Sequence, residues 1–192
     1  MLAGLAILSL ALIPVHITTI YSGLPAHPLF LHVPVILIPL AAIWALVLAV
    51  WPRWFVTSGV WLGAVTVVAL AGTFLTVGAG DALRNALHLN GDFGPAVLIA
   101  RHAHAADTLR LLMIAFTAIV IVALLAHRVD AAAGARVFLR VLLGALAIAC
   151  AYFVFHTGDL GAKAVWQGRL QGGGGPGGGG PVQQLFGPSG GG

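Results

Sequence analysis

Four long stretches of this chain carry no charged side chain: residues 1–52, 54–80, 111–127 and 141–158. About 20 mainly apolar residues take a helix across the hydrocarbon core of a bilayer. The first two stretches exceed that length. The last two reach it when Arg110 and Arg140 lay their apolar stems along the helix and lift their charged heads to the interface. Spans are therefore expected at about 29–51, 55–79, 104–126 and 137–157. The chain is 60% hydrophobic and 7% charged, with a mean hydropathy of +1.04; a soluble domain carries about 25% charged residues. The fold class expected is all-α, an integral membrane protein whose first partner is the lipid bilayer.

The links refine this. Trp51-Pro52-Arg53 is a tight connection, residues 127–136 form a second short one, and the segment 80–95 holds the turn signals Asn90-Gly91 and Gly94-Pro95. Short links between neighbouring helices favour an up-down four-helix bundle. The organisation is then an apolar segment over 1–22, a four-helix transmembrane domain over 23–166 and a Gly-rich flexible tail over 167–192. The first segment leaves open an additional helix, since it reaches spanning length only together with residues 15–21. Glycine at the density of 172–192 cannot repay the entropy of ordering. Pro34 and Pro39 each remove a backbone donor inside the first span and are expected to bend it. Gly59 and Gly63 in the second span form a small-xxx-small face that lets another helix approach.

Charge and motif content exclude several functions. Nine Lys/Arg stand against five Asp and no Glu, and the net charge of +4 is spread over the loops. Nucleic-acid binding needs a clustered basic face. Cys150 is the one cysteine, so no intrachain disulfide forms. Nucleophile-elbow, HExxH and P-loop spacings are absent, which points away from a stand-alone enzyme.

The histidines carry the functional signal. On an alternating topology His27, His32, His88, His102, His104 and His156 fall at one membrane face, joined by His16 if residues 1–21 do not cross; only His127 lies at the other. Histidine is at home at headgroup depth, and that reading suits His16, His27, His88 and His127. His32, His102, His104 and His156 sit within or just at the helices, where ionisable groups are rare and mark functional sites. The opposite links hold Arg53, Arg128, Arg136 and Arg140, so the positive-inside rule places the histidine face outside the cytoplasm.

Three motifs carry a family resemblance: GLPAHPLFLHVPVILIPL (residues 23–40), RHAHAADTLRLL (101–112) and HTGDLGAKAVW (156–166). Together they resemble a bacterial membrane family catalogued as domain of unknown function 2231, over roughly residues 23–166. The resemblance implies a multi-pass protein of the bacterial cytoplasmic (inner) membrane and supports His27, His32 and His102 as site residues. Many relatives carry His where this chain has Asp159. His156, nearly one turn earlier, either takes that position or leaves the motif without a ligand.

Three functions compete. The first is a b-type haem protein that passes electrons, with His32 and His102 as iron ligands from facing helices. In that reading His27, His104, His156 and Arg101 are further cofactor-binding candidates. His104 lies about 200° of helix rotation from His102, so one of the two at most faces the same pocket. Gly158 and Gly161 would admit a planar group, and Arg101, Arg84 or Lys163 would meet propionates. The second function is a Zn or Cu site built from the same histidines with Asp107 or Asp159. The third is a non-catalytic accessory subunit of a larger membrane complex, its histidines tying helices together.

Overall fold

The computed structural model describes residues 19–20, 24–86 and 95–171. Residues 19–20 and 24–25 form a two-residue antiparallel pair, Thr19 opposite Pro25 and Ile20 opposite Leu24. The rest of the 1–22 segment, the Gly-rich stretch from 172 on, His16 and His88 lie outside the described residues, and with them the question of an additional helix.

Helix α1 (Ala26–Phe30) runs into α2 (His32–Val50). The break at Leu31 falls where Pro34 has no N–H to return to the carbonyl four residues earlier. The amides of Leu31 and Val35 keep the path helical by bonding His27 and Leu31 carbonyls. Pro39, by contrast, is carried inside continuous helix. A turn of 3₁₀ helix (Pro52–Trp54), with Pro at its start, leads into α3 (Phe55–Ala86). Helices α4 (Pro95–Arg128) and α5 (Ala133–Gln171) complete the chain. Between them Asp130 takes φ 48°, a left-handed conformation that Asp tolerates better than most residues. The Ala131 amide then closes on the Ala126 carbonyl at 2.9 Å, a Schellman cap, while the Asp130 carboxylate accepts from Arg136.

All four expected spans are helices, and all are long and apolar enough to cross a membrane. The helices outrun the apolar runs that predicted them: Asp81 and Arg84, expected in a loop, lie on α3, and α4 starts nine residues before position 104. Polar residues at a span's end keep their helical hydrogen bonds once a neighbour supports the helix, so hydropathy marks the lipid-covered part and not the helix end.

The four long helices pack as an up-down bundle in the ring order α2, α3, α4, α5, with α5 back against α2. Thus α2 and α4 face each other across the diagonal, as do α3 and α5. Small side chains let the backbones close up: Ala41, Ala42, Ala45, Ala69, Ala123 and Ala147 are buried, packed with Ile38, Leu62, Met113 and Phe116. Of the expected small-residue face, Gly59 does receive a neighbour, Leu124 of α4, whereas nothing approaches Gly63. Ile36, Ile43, Trp61, Phe138 and Phe155 are more than half exposed, which suits contact with lipid chains and not with water.

The two halves of the bundle repeat. Buried positions of α2 recur in α4 at residue number plus 75: Pro34 with Leu109, Ile38 with Met113, Ala41 with Phe116, Ala45 with Val120, Leu48 with Ala123. Buried positions of α3 recur in α5 at plus 81: Leu62 with Leu143, Thr66 with Ala147, Ala69 with Cys150, Thr73 with Val154. The domain is two helical hairpins related by a pseudo-two-fold axis along the bundle, an arrangement known among membrane proteins built from parallel repeats.

Candidate functional site

The same offsets align the polar residues at one end of the axis. His27 plus 75 is His102; Thr76 and Gly80 plus 81 are Thr157 and Gly161. In each hairpin a histidine from the first helix lies against the second helix at a Thr-x-x-x-Gly step.

The geometry of the two steps is nearly identical. His27 Nδ1 lies 2.9 Å from the Thr76 carbonyl oxygen, and His102 Nδ1 lies 2.8 Å from that of Thr157. A carbonyl only accepts, so both rings carry their proton on Nδ1 and donate it. In the neutral ring Nε2 is then left with its lone pair free. The glycines make room: a Cβ on Gly80 would stand 2.9 Å from His27 Nδ1, and one on Gly161 would stand 3.1 Å from His102 Nδ1 and Cε1. A Cβ at Gly80 would force the His27 ring to move, and one at Gly161 would require the His102 ring to give by a few tenths of an ångström.

Because α1–α2 and α4 are diagonal partners, the two rings meet on the bundle axis. Their centroids are 6.2 Å apart and their planes are close to perpendicular, at 88°. Two further polar atoms at this end are buried with no hydrogen-bond partner among the described residues: Arg84 Nε on α3 and Thr157 Oγ1 on α5. The hydroxyls of Thr66, Thr73 and Thr76 all return to carbonyls of their own helix. Thr157, directly under the His102 contact, does not.

The remaining site residues named from the sequence separate into two groups. His32 is exposed on the first turn of α2 and does not face His102; the imidazole that does is His27. His104 and His156, with Arg101, line a different space, an open groove of about 600 Å³ between α4 and α5 that Val97, Phe153 and Leu160 also border. His156 is stacked on Tyr152 at 5.7 Å and 9°. The rotation between His102 and His104 therefore sends one inward and the other to the groove. Asp107 and Asp159 are taken up in pairs with Arg110 and Lys163 on their own helices. Among the described residues, no three His, Cys, Asp or Glu side chains gather to hold a metal ion by themselves.

His27, which the sequence left between an interfacial residue and a cofactor-binding candidate, is half-buried and faces the inner ring of His102. The signal that could have found it is the paired TVGAG (76–80) and TGDLG (157–161) steps, each following a helix with an entry histidine. The class this fold and site define is a multi-pass, all-α membrane protein with a paired-imidazole centre at one end of its axis. No family model, curated protein or solved structure matches the chain.

Proposed function

We propose that this protein is a membrane electron carrier holding a b-type haem between His27 and His102. The observation that carries the reading is the spacing of two pre-oriented imidazoles from diagonal helices. A haem iron would be held by the Nε2 lone pairs of His27 and His102, the ring nitrogens that their carbonyl contacts leave free. The two rings stand 6.2 Å apart. Each has its Nδ1 proton engaged by a backbone carbonyl, the outer-shell bond that fixes ring orientation and raises the basicity of the ligating nitrogen.

The donor set discriminates among metals. Zn²⁺ held by protein asks for three or four side-chain ligands, and the described residues offer two here. A porphyrin brings four nitrogens of its own, so two imidazoles complete its iron. Gly80 and Gly161 let the two rings lie close against α3 and α5, and the neighbouring buried Ala79, Ala82 and Ala105 keep this end of the bundle free of bulky side chains. The unpartnered Arg84 Nε suits a propionate. When bound, haem supplies a one-electron couple; the chain holds it, orients it through the Thr76 and Thr157 carbonyls and shields it within the bundle.

The test is a reduced-minus-oxidised visible spectrum of the protein purified in mild detergent. A sharp b-type band is expected, abolished by His27→Ala and by His102→Ala and retained by His32→Ala. Colourless protein that stays folded would instead favour the accessory-subunit reading, in which the two Nδ1–H bonds serve as helix clasps.

A further inference from the structure

At the opposite end of the bundle the turns of the two hairpins border a second, open space of about 330 Å³, lined by Arg53, His127, Arg136 and Arg140 with Pro52, Ala133 and Val137. We propose that this pocket binds the phosphate of an anionic phospholipid headgroup. The proposal is independent of the haem reading.

Charge is the first argument. Arg53 and Arg140 have no carboxylate partner among the described residues; the one acid beside the pocket, Asp130, is taken by Arg136. The start of α5 adds to this. Ala133 opens a 39-residue helix with no acidic residue in its first turn, so its free N–H groups and positive dipole end are uncompensated at the pocket wall. His127 lines the pocket without donating to it: its Nδ1 donates to the Ala123 carbonyl at 2.8 Å, so the neutral ring presents only an accepting Nε2, and the anion is left to the arginines and the helix end. Stacking on Phe55 at 4.5 Å and 6° holds the ring in place. The whole set is drawn from both hairpins, so an anion seated there also ties the two halves together.

Depth decides for a lipid over a free anion. The pocket lies where the spans end, beside Trp51 and Trp54, both about half exposed, residues that favour headgroup level. Directly along the first turns of α3 and α5 run Val56, Val137, Phe138 and Val141, all exposed, an apolar path for the acyl chains of a molecule whose phosphate sits in the pocket. Basic pockets between membrane helices bind anionic headgroups in this way.

The full chain in non-ionic detergent, given phosphatidylglycerol or phosphatidylcholine with the same acyl chains, is examined by native mass spectrometry. Retention of phosphatidylglycerol is expected at about thirtyfold over phosphatidylcholine, Arg53 and Arg140 each contributing about 1 kcal/mol near a headgroup. Arg53→Gln with Arg140→Gln removes that preference, while Arg128→Gln, at the same end but outside the pocket lining, keeps it. If the double variant does not fold, each single variant is expected to lose about fivefold. Equal retention of the two lipids overturns the proposal, as does a preference unchanged in the variants. Displacement of the lipid by equimolar inorganic phosphate also overturns it, since that marks a site for a soluble anion.

Discussion

At the scale of single residues, the centre rests on two missing side chains. Gly161 touches the His102 ring, whereas Gly158, three residues before it on the same helix, meets nothing within 4 Å. The pair makes a controlled comparison. Gly161→Ala is expected to shift His102 against the Thr157 carbonyl and to cost about 1–2 kcal/mol, the weakening of one hydrogen bond with local overpacking. Gly158→Ala is expected to be neutral or to stabilise by up to about 1 kcal/mol through helix propensity. Thermal unfolding in detergent checks both, and equal effects would mean that the glycine notch has no role. Sequence showed which histidines sit near span ends but not which way they point. His27 and His32 are five residues apart, and hydropathy places both at the same depth. Only packing against Gly80 distinguishes the inner ring from the exposed one.

At the scale of elements, the spans were legible and their ends were not. The absence of charge identified four membrane helices, because burying a charge in hydrocarbon is costly whatever the neighbours. That α3 runs on as helix to Ala86, past its apolar run, is owed to α1 lying against these turns, which no local pattern records. The contact that fixes α1–α2 on α3 is again a glycine: a Cβ on Gly72 would overlap the side chain of Val33. Gly72→Ala is therefore expected to destabilise by about 1–3 kcal/mol through overpacking. Val33→Ala in the same chain should restore part of that loss, because it removes the Cγ1 that stands nearest the new methyl while the Cβ at 2.9 Å remains. A double-mutant cycle on detergent unfolding midpoints reads the coupling; strict additivity would place Gly72 away from that contact. Gly63, singled out from sequence with Gly59, faces open space, so Gly63→Ala, like Gly158→Ala, is expected to be neutral or to stabilise by up to about 1 kcal/mol.

At the scale of the whole molecule, the duplicated hairpin governs both ends of the bundle. The repeat hides from a reading of residue identities because the halves share burial positions and few side chains: Ala45 stands opposite Val120, and Thr73 opposite Val154. Its consequence is directional. Two hairpins related by an axis along the bundle must both turn at the same membrane face, so each carries its own orientation signal. The first turn has Arg53; the second has Arg128, Arg136 and Arg140. The links there, one 3₁₀ turn and residues 129–132, are short enough for basic residues to set orientation. At the other end Arg84, Arg101, Arg110 and Lys163 lie within helices and not in short links, and all but Arg101 are paired with an Asp one turn away. Short basic links at both turns lead to the expectation that the arginine turns are cytoplasmic and the His27–His102 centre lies toward the outer face. Cys150 is buried, so with Cys150→Ala as background a single new thiol reports on one side. Gly134→Cys, in open space at the start of α5, is expected to react with a membrane-impermeant maleimide only after cells are permeabilised. Lys163→Cys, exposed at the histidine end, is expected to react on intact cells. The reverse pattern would invert the protein and put the paired imidazoles within reach of cytoplasmic redox partners, while labelling of both positions on intact cells would break the link between the repeat and a single orientation.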